Sequence, residues 1–86
     1  MDINELITII KKKLENQIIF EDIKIEDKSF LHKNHKGNEP GRYHLKIIIQ
    51  SNDLKQMTKI ESNKKIYKIL DEEIKKFIHS LQILIS

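Results

Sequence analysis

The sequence predicts an α+β fold in which helices cover one face of a three-stranded sheet. Apolar residues recur at helical spacing in two segments, and they alternate with polar residues in three others. The length of 86 residues gives room for one small core. We therefore expect a single domain over residues 1–86, with the order helix, strand, strand, helix (in one or two parts), strand.

The first helix is predicted over residues 3–15. Asp2 and Glu5 have the spacing of a capping box, which favours a helix that starts directly after Asp2. Three consecutive lysines near the other end complement the negative pole of the helix dipole. The apolar residues at helical spacing are Ile3, Leu6, Ile7, Ile10 and Leu14.

Two strands are predicted next, over residues 18–26 and 43–50, because apolar and polar residues alternate there. Strands that follow each other directly most simply pair as an antiparallel hairpin. The connection over residues 27–42 is polar and contains both glycines and the single proline. A loop this long in a small domain is typical of a functional or a disordered segment, and we expect this one to be flexible. Residues 51–53 then have the composition of a turn.

A second helix is predicted to start at Thr58, which has the capping-box spacing to Glu61, and to run to about Ile78. Three consecutive acidic residues in its middle resemble a fresh helix N-terminus, so we expect a break near Leu70. Alternating apolar residues over 81–85 predict the last strand.

Composition excludes several classes of protein. The chain has no cysteine, which excludes a disulfide framework and a thiol enzyme and favours a cytoplasmic protein. It has no run of eighteen apolar residues, so we expect no membrane span. Its acidic start does not resemble a secretory signal. The net charge of +3 permits contact with an acidic partner or nucleic acid without requiring either.

The four histidines are the candidate functional residues, because imidazole binds metals and exchanges protons near neutral pH. His32 and His35 lie three residues apart in the long loop. They could converge on a metal, or they could be exposed loop residues without a function. His79 lies near the predicted helix-to-strand junction. It could be a metal ligand, or its ring could be hydrogen-bonded to a backbone carbonyl at the helix end. His44 alternates with Leu45, so we expect it to face away from the core, at the surface or supporting a ligand.

The chain resembles BolA-like proteins over nearly its whole length, with elements in the family order. The strongest similarity is Ile78-His79-Ser80-Leu81-Gln82-Ile83, in which a histidine precedes a small residue and a leucine. The other similar segments are Asp27-Lys28-Ser29-Phe30-Leu31-His32, His35-Lys36-Gly37, His44-Leu45-Lys46-Ile47, and Tyr67 with Leu70 and Glu72-Glu73-Ile74. The resemblance implies a class II KH-like fold.

The resemblance also implies a non-enzymatic adaptor in iron–sulfur cluster trafficking or iron regulation. In that family the chain shares a bridging [2Fe-2S] cluster with a monothiol glutaredoxin, which supplies a cysteine, and with glutathione, which supplies a second thiolate. Carried over, His79 matches the C-terminal histidine ligand and His32 the loop ligand, with His35 as the rival. The isolated chain is then expected to be a monomer without cofactor, and a heterodimer with its partner.

A nucleic-acid-binding transcriptional regulator is the alternative function. KH modules grip nucleic acid with a GXXG loop between helices. Here the two glycines lie between predicted strands rather than between helices. The family's helix usually begins with an aromatic residue and a glycine, and residues 54–58 of this chain have neither there. Ser62-Asn63-Lys64 stands where the family has a basic cluster, which leaves Lys64 and Lys65 as candidate contacts for nucleic acid or a partner.

A mononuclear zinc site at His32, His35 and His79 is a third interpretation, since three histidines with an open position suit catalytic zinc. No residue pattern provides a general base beside such a site. We therefore expect no enzymatic activity.

Overall fold

The computed structural model describes residues 1–29 and 42–86, which form four helices and three strands. The predicted order of elements is confirmed. In chain order they are α1 Ile3–Gln17, β1 Asp22–Asp27, β2 Tyr43–Gln50, α2 Asn52–Lys55, α3 Lys59–Ile69, α4 Asp71–Lys76 and β3 Ile78–Ile85.

The three strands form one sheet in the order β1-β2-β3. β1 and β2 pair antiparallel, as expected of consecutive strands, with Ile25 opposite Ile47. β3 pairs with β2 in parallel, so the chain must cross over between them, and α2, α3 and α4 make that crossover.

One core joins the helices to one face of the sheet, which confirms the predicted two-layer α+β arrangement. The covered face of β2 comes from alternate residues, as the period-two pattern predicts. The fully or almost fully buried residues are Leu6, Ile10, Leu14, Ile18, Leu45, Ile47, Ile49, Leu54, Ile66, Leu70, Ile78 and Ile83.

Helix starts follow the cap chemistry of the sequence. The Asp2 carboxylate accepts the Glu5 backbone N–H at 2.9 Å. Thr58 Oγ accepts the Glu61 N–H at 3.1 Å, and its hydroxyl donates to the Glu61 carboxylate at 2.9 Å. These contacts satisfy amide groups that the first turn of a helix leaves without partners.

The predicted break at Leu70 is also confirmed, because α3 ends at Ile69 and α4 begins at Asp71. Leu70 has φ −98° and ψ 16°, outside the helical range, and its side chain is completely buried. Burial of this corner residue fixes the angle at which the chain turns from α3 into α4.

Several predicted boundaries are wrong. β1 begins at Asp22 rather than residue 18, because Ile18 caps α1 and packs in the core. The turn predicted at 51–53 is the start of α2, and its N-cap Ser51 accepts the Leu54 N–H at 3.2 Å. The last helix ends at Lys76, and β3 begins at Ile78.

The expected long loop is only partly within the described residues, since 30–41 lie outside them. Over the two described ranges, no helix is both long and apolar enough to cross a membrane.

Candidate functional site

A β-bulge at the start of β3 determines where His79 lies. Tyr43 pairs with Ile78, but the next residue, His44, pairs with Ser80, so His79 is an extra residue on β3. Ile78 is buried against the helices and Leu81 packs on the same core. His79 and Ser80 are both exposed, which no regular alternation of a strand would produce.

His44 lies across from this bulge and is buried, with 5% of its surface exposed. Its Nδ1 lies 2.7 Å from Ser80 Oγ, and its backbone N–H donates to Ser29 Oγ at 3.1 Å. His44 was predicted to face away from the core that contains Leu45. Its contact with the exposed Ser80 agrees with this prediction. The prediction of a surface group is wrong, because the bulge brings β3 side chains over the ring.

The rings of His44 and His79 are neighbours, with centroids 4.8 Å apart and planes tilted by 52°. His79 is exposed, and its ring has no hydrogen bond or salt bridge to any residue in the described ranges. The interpretation of His79 as a helix-end group bonded to a carbonyl is therefore not supported. The site presents one accessible imidazole backed by one buried imidazole.

His32 and His35 lie outside the described residues, so their roles as loop ligands stay predictions. Within residues 1–29 and 42–86, no group of three or more histidine, aspartate or glutamate side chains could hold a metal ion. Any metal bound at His79 therefore needs ligands from the remaining segment of the chain or from a partner.

Arg42 is a residue of this site that sequence reasoning missed. Its Nη2 donates to the backbone carbonyls of Ile74, Lys75 and Ile78, at 3.3, 2.9 and 3.4 Å. Arg42 is the single arginine beside fifteen lysines, and that rarity was the available indication.

Ser80 was recognised in the sequence only as the small residue after His79. Its contact with His44 depends on the parallel pairing of β2 with β3 and on the bulge, neither of which the sequence pattern indicates.

The candidate contacts Lys64 and Lys65 are both exposed on α3. Lys65 lines a groove of about 570 Å³ between α1 and α3, together with Lys13, Asn16, Gln17, Lys68 and Ile69. Lys13 is not a free cation there, because its Nζ donates to the Glu73 carboxylate at 2.6 Å. This hydrogen bond, together with the negative charges of Glu73 and Glu72, raises the pKa of Lys13.

A smaller groove of about 340 Å³ lies between β3 and the α2–α3 turn. Lys55 and Lys59 lie at this groove, and Met57, Ile83 and Ile85 supply apolar surface. Cationic groups beside an apolar surface are compatible with nucleic acid, but neither groove includes a candidate histidine.

Comparison with known proteins agrees with this architecture. The family model described as "BolA-like protein" matches residues 14–86. The chain is 33% identical over 75 residues to a Haemophilus influenzae protein named "DNA-binding transcriptional regulator BolA", a match that covers 87% of this chain and 70% of that protein.

Solved structures share the fold. The BolA domain of SufE1 from Arabidopsis thaliana superposes with a TM-score of 0.76 at 26% identity, covering 92% of this chain and 87% of that one. BolA1 from the same plant gives a TM-score of 0.75 at 24% identity, with the same coverage. Together with the family match over residues 14–86, these similarities show that the chain belongs to the BolA-like family.

Proposed function

We propose that the chain is a non-enzymatic cytoplasmic adaptor that binds a bridging [2Fe-2S] cluster together with a monothiol glutaredoxin. The observation that carries the proposal is the environment of His79. Its ring is exposed on a bulge, stands against the buried ring of His44, and has no other partner within the described residues. An imidazole held in this way can bind an external metal without first breaking a hydrogen bond.

The donor set fits a shared cluster better than a site built by this chain alone. Histidine can replace cysteine on one iron of a two-iron cluster, and the substitution raises the reduction potential. The chain has no cysteine, so the thiolates must come from glutaredoxin and glutathione. When bound, the cluster supplies iron and sulfide for transfer or an iron-dependent signal.

The chain contributes a fixed imidazole on β3 and a second ligand from the loop, His32 by family position or His35. Because a protonated imidazole has no free lone pair, ligation by histidine makes cluster retention sensitive to acid.

The test is anaerobic reconstitution of the chain with a monothiol glutaredoxin, glutathione, iron and sulfide, followed by visible absorption and circular dichroism. We expect a stoichiometric heterocomplex whose spectrum differs from that of the clustered glutaredoxin alone. A spectrum identical to that of the glutaredoxin alone, at every ratio of the two proteins, would contradict the proposal.

Nucleic-acid binding by a transcriptional regulator is the second candidate. It is favoured by the name of the H. influenzae relative and by the lysines beside the β3 groove and on α3. Binding through phosphates would weaken steeply with salt, with a slope that counts the phosphate contacts. Fluorescence anisotropy with duplex DNA over a salt series tests it, and Lys64→Gln with Lys65→Gln should reduce the slope.

A further inference from the structure

The junction between α4 and β3 lacks the usual means of ending a helix. α4 ends at Lys76, and the C-cap residue that follows is Phe77, with φ −127° and ψ −16°, rather than a glycine with positive φ. The last carbonyls of any helix have no partner inside the helix. In this junction, Arg42 takes the place of the missing cap, because its Nη2 donates to the Ile74 and Lys75 carbonyls.

The same arginine reaches across the junction into β3. Its Nη2 also lies 3.4 Å from the carbonyl oxygen of Ile78, the residue directly before His79. The next residue in the chain, Tyr43, donates its backbone N–H to the Phe77 carbonyl at 2.9 Å. Two consecutive residues therefore bind carbonyls on both sides of the junction.

The bulge begins immediately after this attachment. Ile78 is the first residue of β3 and pairs with Tyr43. The inserted residue, His79, follows it directly. The direction in which an inserted residue projects depends on where the residues beside it are held. Ser80 is held by His44 on one side of His79, and Ile78 is held by Arg42 on the other.

We propose that Arg42 is a positioning residue for His79: its guanidinium fixes the α4–β3 junction so that the bulge presents His79 against the ring of His44. The consequence for cluster binding rests on the function proposed above. The positioning itself is a property of the chain alone and can be tested without a cluster.

A guanidinium suits this position better than an ammonium. The acceptors belong to the last turn of a helix and to the following strand, and a planar, rigid donor group loses little freedom in reaching both. Lysine would keep the positive charge at the helix C-terminus and hence its interaction with the dipole. Its side chain is one bond shorter, so we expect its ammonium not to reach the point where Nη2 contacts all three carbonyls.

The experiment compares Arg42→Gln and Arg42→Lys with the wild type. Lys46→Gln, on the strand β2 that follows Arg42, is the matched loss of one positive charge. In Arg42→Gln, we expect amide hydrogen exchange at Tyr43 and Phe77 to rise about tenfold, because both amides bond across or beside the junction. The nuclear Overhauser contacts between the His44 and His79 rings should disappear. Lys46→Gln should retain both signals.

Arg42→Lys separates positioning from simple stabilisation. We expect it to restore most of the thermal stability lost in Arg42→Gln, through its charge, but not the ring contacts of His79. Full recovery of those contacts in Arg42→Lys, or their persistence in folded Arg42→Gln, would overturn the proposal.

The heterocomplex gives the second readout. Arg42→Gln should lose the cluster about tenfold faster than the wild type, a change of the size seen when groups that orient a metal ligand are removed. If the wild-type chain forms no heterocomplex, the proposed function fails while the measurements on the isolated chain still decide the role of Arg42. An unchanged cluster lifetime together with lost ring contacts would show that the orientation of His79 does not matter for binding.

Discussion

Two histidines on adjacent strands have opposite environments although their side chains are identical. His44 is buried with its Nδ1 next to Ser80, whereas His79 is exposed beside it. The difference comes from one inserted residue, because the bulge turns both His79 and Ser80 to the same side of β3. Their roles differ accordingly: an accessible imidazole can bind a metal, and a buried one can hold its neighbour in place.

His79→Ala should abolish or severely weaken cluster retention in the heterocomplex and leave the fold intact, since the exposed ring supports no core contact. Loss of a ligand should cost at least as much as loss of a group that orients one, which is about 10- to 100-fold in metal affinity. Visible circular dichroism measures retention and thermal unfolding measures the fold. Gln82→Ala, at another exposed position of β3, is the control, and a wild-type spectrum in His79→Ala would contradict the assignment.

His32→Ala is expected to give a more labile cluster with an altered spectrum. The comparison variant is His35→Ala, which should leave the cluster unchanged if the loop ligand follows the family position. If only His35→Ala produces the labile cluster, the ligand lies three residues further along the loop.

Ser80→Ala should lower the free energy of unfolding by about 1 kcal/mol, the usual net contribution of one hydrogen bond. The variant removes the hydroxyl that lies 2.7 Å from Nδ1 of the buried His44. Ser80→Thr keeps the hydroxyl and should retain most of the stability in urea unfolding. Equal losses in the two variants would mean that strand packing, rather than the hydrogen bond, determines the effect.

At the level of the elements, one partly buried ion pair attaches α4 to α1. Glu73 on α4 is only 5% exposed, and it accepts the hydrogen bond from Lys13 Nζ at 2.6 Å. Glu72, at 3.7 Å, adds a weaker attraction from the surface. Because α4 leads directly into β3, this pair and Arg42 hold the two ends of the short helix that precedes the His79 bulge.

Lys13→Met should destabilise the chain by about 1–2 kcal/mol near neutral pH, less than for a fully buried pair because 35% of the Lys13 side chain is exposed to solvent. The pKa of Lys13 is raised in the folded state, chiefly by its hydrogen bond to Glu73. The stabilisation is therefore complete below the ordinary pKa of 10.5 and is lost as pH rises through the higher folded value.

Urea unfolding from pH 7 to 11 measures this dependence. The stability difference between the wild type and Lys13→Met should stay constant up to about pH 10 and then shrink. Lys12→Met, a neighbouring exposed lysine on the same helix, should show no such pattern. A difference that grows above pH 10 would mean that the ion pair is not its source.

At the level of the whole molecule, the helices cover one face of the sheet and leave His79 exposed beside the β2–β3 pair. The candidate ligand therefore lies on an outer surface rather than in an enclosed cavity. A metal bound there needs further ligands from residues 30–41 or from a partner, and the proposed shared cluster would supply them.

Sedimentation velocity should then show a monomer for the isolated chain and a one-to-one heterodimer once the clustered glutaredoxin is added. In the proposed complex, we expect the shared cluster to supply most of the attraction between the two chains. Removing iron with a chelator should return both chains to their separate sedimentation coefficients. A heterodimer that persists without iron would assign the association to the protein surfaces.

The sequence by itself determined the order of the elements, the helix starts at Asp2 and Thr58, the break at Leu70 and the choice of His79 as a candidate residue. These follow from interactions between residues close in the chain: apolar periodicity, caps three residues apart and the acidic start of α4. The resemblance carried by the His79 segment is also a property of a few adjacent residues.

Only the tertiary structure decided that β3 runs parallel to β2, that His79 is an inserted residue, and that His44 is buried beneath it. It also brought Arg42 to the end of α4 and Lys13 to Glu73. The physical reason is that each of these depends on contacts between residues far apart in the chain. Local pattern indicates which face of a strand is apolar, but the partner strand and its register are set by how the whole core packs.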